Sequence, residues 1–162
     1  MTNFGKGLNW DKDFQSLIKR IALYIKKKGI FVPRFQVEAL RRIGHELFET
    51  VGCKPEDTRI IVDHLVESNL FGHDSHGAIR FYEYMRAIRE GRFQPKAVPK
   101  VIEEYPCLAV VDAQGAMGQV GATFAAELAT KKARAQGVGT VALRNTSHIG
   151  RVGAYPLMTA RK

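Results

Sequence analysis

The amino-acid sequence predicts an α/β chain of the α+β type: a helical N-terminal layer, then the first strands and the long helix of a sheet domain. Three observations carry this. Between residues 36 and 91, apolar residues recur at helical spacing in three stretches, each stopped by a glycine. Composition then changes at Phe93–Lys100, where Pro95 and Pro99 mark an extended linker. Beyond it, two short apolar runs precede a long helical stretch and a further β-branched run, Val138–Leu143.

The elements follow in order. In residues 1–35, Phe14, Leu17, Ile18, Ile21, Ala22 and Ile25 form one apolar stripe. Asp13 can cap that helix, and Lys26, Lys27 and Lys28 favour its C-terminal dipole before Gly29. Such a helix either lies on a membrane surface or packs on the body or a second subunit, and packing is the commoner use of an amphipathic face. Lys19 and Arg20 interrupt any signal-peptide core, and one Ser with two Asp does not fit a transit peptide. The next helix spans Gln36 to Val51, with Val37, Leu40, Leu47, Phe48 and Val51 on one side and Gly52 as its stop. Pro55 opens the following one, where Glu56 and Asp57 complement the dipole; it carries Ile61, Leu65 and Val66 and ends at Gly72. A third, Ala78 to Glu90, carries Phe81, Tyr82, Met85 and Ile88 up to Gly91. Val101-Ile102 and Leu108–Val111 read as strands around a Tyr105-Pro106 turn, and a helix from Val120 to Gln136 ends at Gly137. Domain boundaries accordingly fall at 1–35, 36–100 and 101–162.

At 162 residues, 45% hydrophobic and 25% charged, the chain has ordinary globular composition, which excludes a disordered tail, a collagen and a coiled-coil rod. No uncharged apolar run reaches the roughly 18 residues of a membrane span. Cys53 and Cys107 are too few for a disulfide framework and read as free thiols of a reducing, cytoplasmic compartment. The net charge of +9 invites a nucleic-acid reading, but more than half of it sits in residues 1–35, where only Asp11 and Asp13 oppose the bases. A nucleic-acid reader concentrates its bases on the folded face, so no nucleic-acid partner is expected.

Chemistry is concentrated in three places. Gly115-Ala116-Met117-Gly118-Gln119-Val120-Gly121 follows a strand and opens a helix, where a phosphate-binding turn would sit. Its G-x-x-G-x-x-G spacing is not the dinucleotide fingerprint, and Arg144 and Asn145 stand where a ribose-binding acid would be. Tight helix–strand packing explains it better. Gly72-His73-Asp74-Ser75-His76-Gly77 brings titratable groups onto a loop between helices. A metal site there lacks a spaced second half, so no metal is assigned. Adjacency of Ser75 and His76 does not supply a nucleophile–base hydrogen bond, and a helix cap at Asp74 or Ser75 is the plainer reading. Arg144-Asn145-Thr146-Ser147-His148-Ile149-Gly150 places a His after a strand, where an unperturbed pKa near 6.5 suits proton transfer.

Taken together, these segments resemble the malate/L-lactate dehydrogenase-like family, with its sulfolactate, ureidoglycolate and diketogulonate dehydrogenase relatives. The resemblance rests on Leu70–Gly77 with Arg80 and Tyr84, on Val111-Asp112 with Gly115 and Gly118, and on Asn145–Gly150, in this order. It runs from near Val37 to the end of the chain, and His76 and His148 are separated as the family pattern requires. What it implies is an NAD- or NADP-dependent oxidoreductase of 2-hydroxy and 2-oxo acids, typically a homodimer. The family fold has a helical N-terminal domain and a non-Rossmann cofactor domain on a mostly antiparallel sheet. The resemblance gives catalytic roles to residues matching His148, His76 and Ser75, substrate-binding roles to Arg80 and Tyr84, and cofactor contacts to His148 and Gly150. Family chains are much longer, so it also implies an N-terminal portion with an incomplete cofactor domain and little turnover by itself. The competing expectation is a non-catalytic remnant or dimerisation module of the same family.

Overall fold

The computed structural model describes residues 34–161. The amphipathic helix expected in the leader lies outside the described residues. Residues 36–162 form one compact unit.

Helices α1 (Val37–Thr50), α2 (Pro55–Leu70) and α3 (Arg80–Arg89) form the helical layer, with a single 3-10 turn, Asp74–His76, between the last two. Its core joins Phe48, Ile61, Val62, Leu65, Val66, Phe81, Tyr84 and Met85, with Phe48 and Phe81 edge to face at 5.6 Å. Helical periodicity marked all of these but Val62 and Tyr84, and Tyr82, which it placed on the apolar side, is exposed. Gly44 sits tight against the other two helices: a Cβ there would stand 2.9 Å from both Phe81 Cζ and Val62 Cγ1.

Two helix ends differ from the sequence expectation. Helix α2 stops at Leu70 rather than Gly72, and α3 begins at Arg80 rather than Ala78. Neither Asp74 nor Ser75 caps a helix. Instead, the Asn69 carboxamide accepts from the Ala78 N–H, two residues ahead of α3, at 2.8 Å and donates to Asp74 at 2.6 Å. One side chain at the end of α2 thus ties both ends of the Gly72–Gly77 loop.

Strands β1 (Lys100–Glu104), β2 (Leu108–Asp112) and β3 (Thr140–Arg144) form a sheet in the order β1-β2-β3, the first pair antiparallel and the second parallel. The expected Tyr105-Pro106 turn closes with a Tyr105 N–H to Leu108 O bond of 2.9 Å. Helix α4 (Gly118–Gln136) makes the crossover from β2 to β3, the connection that parallel neighbours require. Strand β3 starts two residues later than Val138, because Gly139 lies against the last turns of α4, where a Cβ would be 2.1 Å from Ala129 O. Lys132, buried on α4, donates to Glu104 Oε1 at 2.9 Å and Tyr105 O at 2.7 Å, fastening the β1–β2 hairpin to the helix. A short helix, α5 (Ala154–Ala160), ends the described chain. Among the described residues no helix is long and apolar enough to cross a membrane.

Candidate active site

The three motifs meet where the helical layer faces the C-terminal ends of β2 and β3. The glycine turn meets the His148 loop through backbone contact. The Gly118 N–H, at the start of α4, donates to Ser147 Oγ at 2.7 Å. A Cβ on Gly118 would lie 2.1 Å from His148 O, and one on Gly121 would lie 3.0 Å from Thr146 Oγ1. The glycines therefore seat the 146–148 loop on the helix, and the first helix N–H is spent on a serine rather than offered to a phosphate. Arg144 and Asn145 both bind Asp112 Oδ2, at 3.1 and 2.8 Å. The Gln114 N–H, together with these side chains, holds the Asp112 carboxyl below its usual range.

Above this seat the two predicted histidines come together. Their rings are 5.5 Å apart and nearly parallel, at 27°. Each has Nδ1 tied to a hydroxyl: His148 to Tyr84 at 2.7 Å and His76 to Ser75 at 2.9 Å. The Ser75–His76 bond overturns the expectation that adjacency would not produce one; the 3-10 turn folds the serine hydroxyl back onto its neighbour's ring. Tyr84 is buried on the inner face of α3, whereas His148 keeps one side open to solvent. Burial of the rest of the ring, then the positive charge of Arg80 and the neighbouring His76, holds the His148 pKa below its ordinary value. Burial pushes the Tyr84 hydroxyl up. A neutral imidazole and a protonated phenol are thus the resting forms.

Arg80 flanks the pair at the start of α3. Its Nε donates to Ser75 O at 2.7 Å and its Nη1 pairs with Glu83. The fork is partly occupied, and Nη2 has no partner among the described residues. Gly150 (φ +76°) is buried behind the histidines, where a Cβ would meet His64 Nε2 at 2.3 Å.

Two residues that the sequence did not single out complete the arrangement. His64, on α2, accepts the Arg151 N–H at 2.8 Å and stacks on Tyr155, whose hydroxyl donates to Ile149 O. Burial, then the charge of Arg151, lowers its pKa to about 4. Gln119, fully buried within the glycine turn, donates to Tyr84 Oη at 3.0 Å. Each was visible only as a polar residue at a position its neighbours mark as buried. Among the described residues, no three His, Cys, Asp or Glu side chains are grouped to hold a metal. The site combines two hydroxyl-anchored imidazoles with a guanidinium, a set that can move a proton and hold an anion side by side.

Residues 35–162 match the family model described as malate/L-lactate dehydrogenase. The chain belongs to that family. L-sulfolactate dehydrogenase of Methanocaldococcus jannaschii is 41% identical over 110 residues, covering 68% of this chain and 32% of its own. Hydroxycarboxylate dehydrogenase B of Escherichia coli is 35% identical over 122 residues, covering 75% and 34%. Among solved structures, malate dehydrogenase of Pyrococcus horikoshii superposes with a TM-score of 0.78 at 34% identity, over 80% of this chain and 37% of that one. Malate dehydrogenase of Entamoeba histolytica gives 0.77 at 31% identity, over 80% and 36%. The chain spans about a third of the length of the curated relatives it matches.

Proposed function

We propose that this chain carries the substrate end of an NAD- or NADP-dependent oxidoreductase that interconverts a 2-hydroxy acid and its 2-oxo acid. The single observation that carries this reading is the Tyr84–His148 hydrogen bond beside the stacked His76, with Arg80 at hand. In this reading residues 36–100 supply His76, Arg80 and Tyr84, and residues 101–162 supply His148.

His148 is the proton donor and acceptor. Its lowered pKa keeps it neutral near pH 7, so it can take a proton from a substrate hydroxyl, and the imidazolium returns one to an oxo group. His76, anchored by Ser75, is the second polar wall against the reacting oxygen. Arg80 holds the substrate carboxylate through Nη2, with Ser75 O and Glu83 keeping the guanidinium in place. A nicotinamide cofactor, when bound, supplies the hydride chemistry. The residues present suit its reacting end: a neutral acid–base group lies open beside a cation. The glycine turn does not suit its phosphates, because the first N–H of α4 is already bound to Ser147. His148 is the proposed cofactor contact, and Gly150, buried against His64, serves it by setting the course of the loop that carries His148. Homodimerisation is part of the same proposal, on the strength of the family resemblance.

The test is calorimetric titration with 2-oxo acids and with the same acids lacking the 2-oxygen. The oxo acids should bind the more tightly, and Arg80→Lys and His148→Ala should each weaken them. Equal affinity for both sets, or binding indifferent to both substitutions, contradicts the reading.

A further inference from the structure

We infer that Gln119 is a positioning residue that sets the tautomer of His148, keeping its proton on Nε2, the ring nitrogen that Tyr84 leaves free. The direction of each hydrogen bond follows from the partners. The Gln119 carboxamide has two oxygens against one of its ends, Tyr84 Oη at 3.0 Å and the main-chain oxygen of His148 at 3.4 Å. A main-chain carbonyl only accepts, so the group beside it is the NH2 and not Oε1. Oε1 points the other way, buried and without a partner among the described residues.

Tyr84 Oη therefore accepts from Gln119. Its own single proton needs an acceptor, and among the described residues His148 Nδ1, at 2.7 Å, is the one within reach. Nδ1 is then bare, and the neutral imidazole carries its hydrogen on Nε2. In the opposite assignment Nδ1–H and the Gln119 amide would both donate to Tyr84 Oη, and the buried phenol proton would have no acceptor. Buried donors are rarely left so. The fold makes room for this device: Gln119 lies under the His148 loop at a point where a Cβ on Gly150 would come within 3.0 Å of its Nε2. A buried Oε1 without a partner is the kind of local disadvantage that a functional arrangement retains.

The consequence deepens the proposed function and rests on it. The resting site presents an N–H that donates a hydrogen bond to a ligand's oxo oxygen, the proton itself being returned by the imidazolium. Taking a proton from a hydroxyl requires the imidazole to exchange its tautomer first. The polarity of the Gln119–Tyr84–His148 chain does not depend on that reading and is measured without substrate.

The experiment is long-range proton–nitrogen NMR on the full chain labelled with 15N-histidine, at a pH above the titration of His148, with a 15N-glutamine sample alongside. Wild-type His148 should show a protonated Nε2 and a bare Nδ1, and the Gln119 amide protons should show through-space contact to the Tyr84 ring. Gln119→Met, which keeps the volume and removes the donor, should convert His148 to exchanging tautomers, and Tyr84→Phe should do the same, with His76 unchanged in both. A wild-type His148 protonated on Nδ1 overturns the inference even if neither variant folds. So does a missing Gln119–Tyr84 contact, or a folded Gln119→Met protein whose His148 stays wholly in the Nε2–H form. Failure of oxo-acid binding with these spectra intact would count against the proposed function alone.

Discussion

Replacing Gly118 by Ala tests whether the glycine turn exists to seat the His148 loop. The added Cβ would stand 2.1 Å from His148 O, 2.4 Å from His148 C and 2.7 Å from Ser147 O, all backbone atoms that no rotamer change can move aside. Ordinary contact begins near 3.4 Å, so the His148 carbonyl must retreat by about 1.3 Å. That retreat breaks the Gly118 N–H to Ser147 Oγ bond and pulls His148 from Tyr84. Overpacking costs about 1–3 kcal/mol, and loss of a helix cap about 1 kcal/mol. The gain in helix propensity from Ala, at most about 1 kcal/mol, offsets part of this. The net expectation is roughly 1–3 kcal/mol, read from urea unfolding followed by far-UV circular dichroism, together with weakened binding of 2-oxo acids. Gly137→Ala is the control. Its φ of +81° strains an alanine, but nothing lies within 4 Å, so it should lose about 1 kcal/mol with oxo-acid binding intact. If Gly118→Ala leaves oxo-acid affinity at the Gly137→Ala level, the turn does not support the site and the reasoning fails.

Further expectations concern single side chains. The His64 pKa falls from 6.5 to about 4 on folding, so the unfolded chain binds the extra proton between those values. Stability should therefore be fully present above pH 6.5 and decline as pH falls toward 4, by up to about 3 kcal/mol from this group, and His64→Gln should flatten that part of the profile. An unchanged slope in the variant would show that His64 is not the titrating group. Arg80→Lys should weaken oxo-acid binding by roughly 10- to 100-fold, the worth of a charge-assisted bond, and calorimetry measures it directly. In a nicotinamide absorbance assay with either cofactor, His148→Ala should lower whatever rate the wild-type chain gives by about 10²- to 10⁴-fold.

The helical layer was legible because its apolar residues keep helical spacing and its helices end near glycines. Strands β2 and β3 and the long helix between them were legible as two apolar runs flanking a helical stretch, but their parallel pairing was not read from the sequence. The candidate site was legible in part: Ser75, His76, Arg80, Tyr84 and His148 all lie in motifs, and the fold brings them together. What escaped were the bonds between distant segments. Gln119 meets Tyr84 across 35 residues of chain and Arg151 meets His64 across 87, and no local pattern encodes either pairing. The helix boundaries around residues 70–80 escaped for a related reason. Asn69, in the last turn of one helix, ties Asp74 and the Ala78 N–H in the loop before the next, a task that reads locally as an ordinary surface amide.

The most direct test of the central claim, that His148, His76, Tyr84 and Arg80 form one 2-oxo-acid site, is an NMR titration of the chain labelled with 15N-histidine and 15N-arginine. A 2-oxo acid should shift the ring nitrogens of His148 and His76 and the Nε of Arg80 along one saturation curve, leaving His45 on α1 unmoved. Saturable binding that leaves His148 and Arg80 undisturbed, or the absence of any binding by a folded chain, would contradict the account.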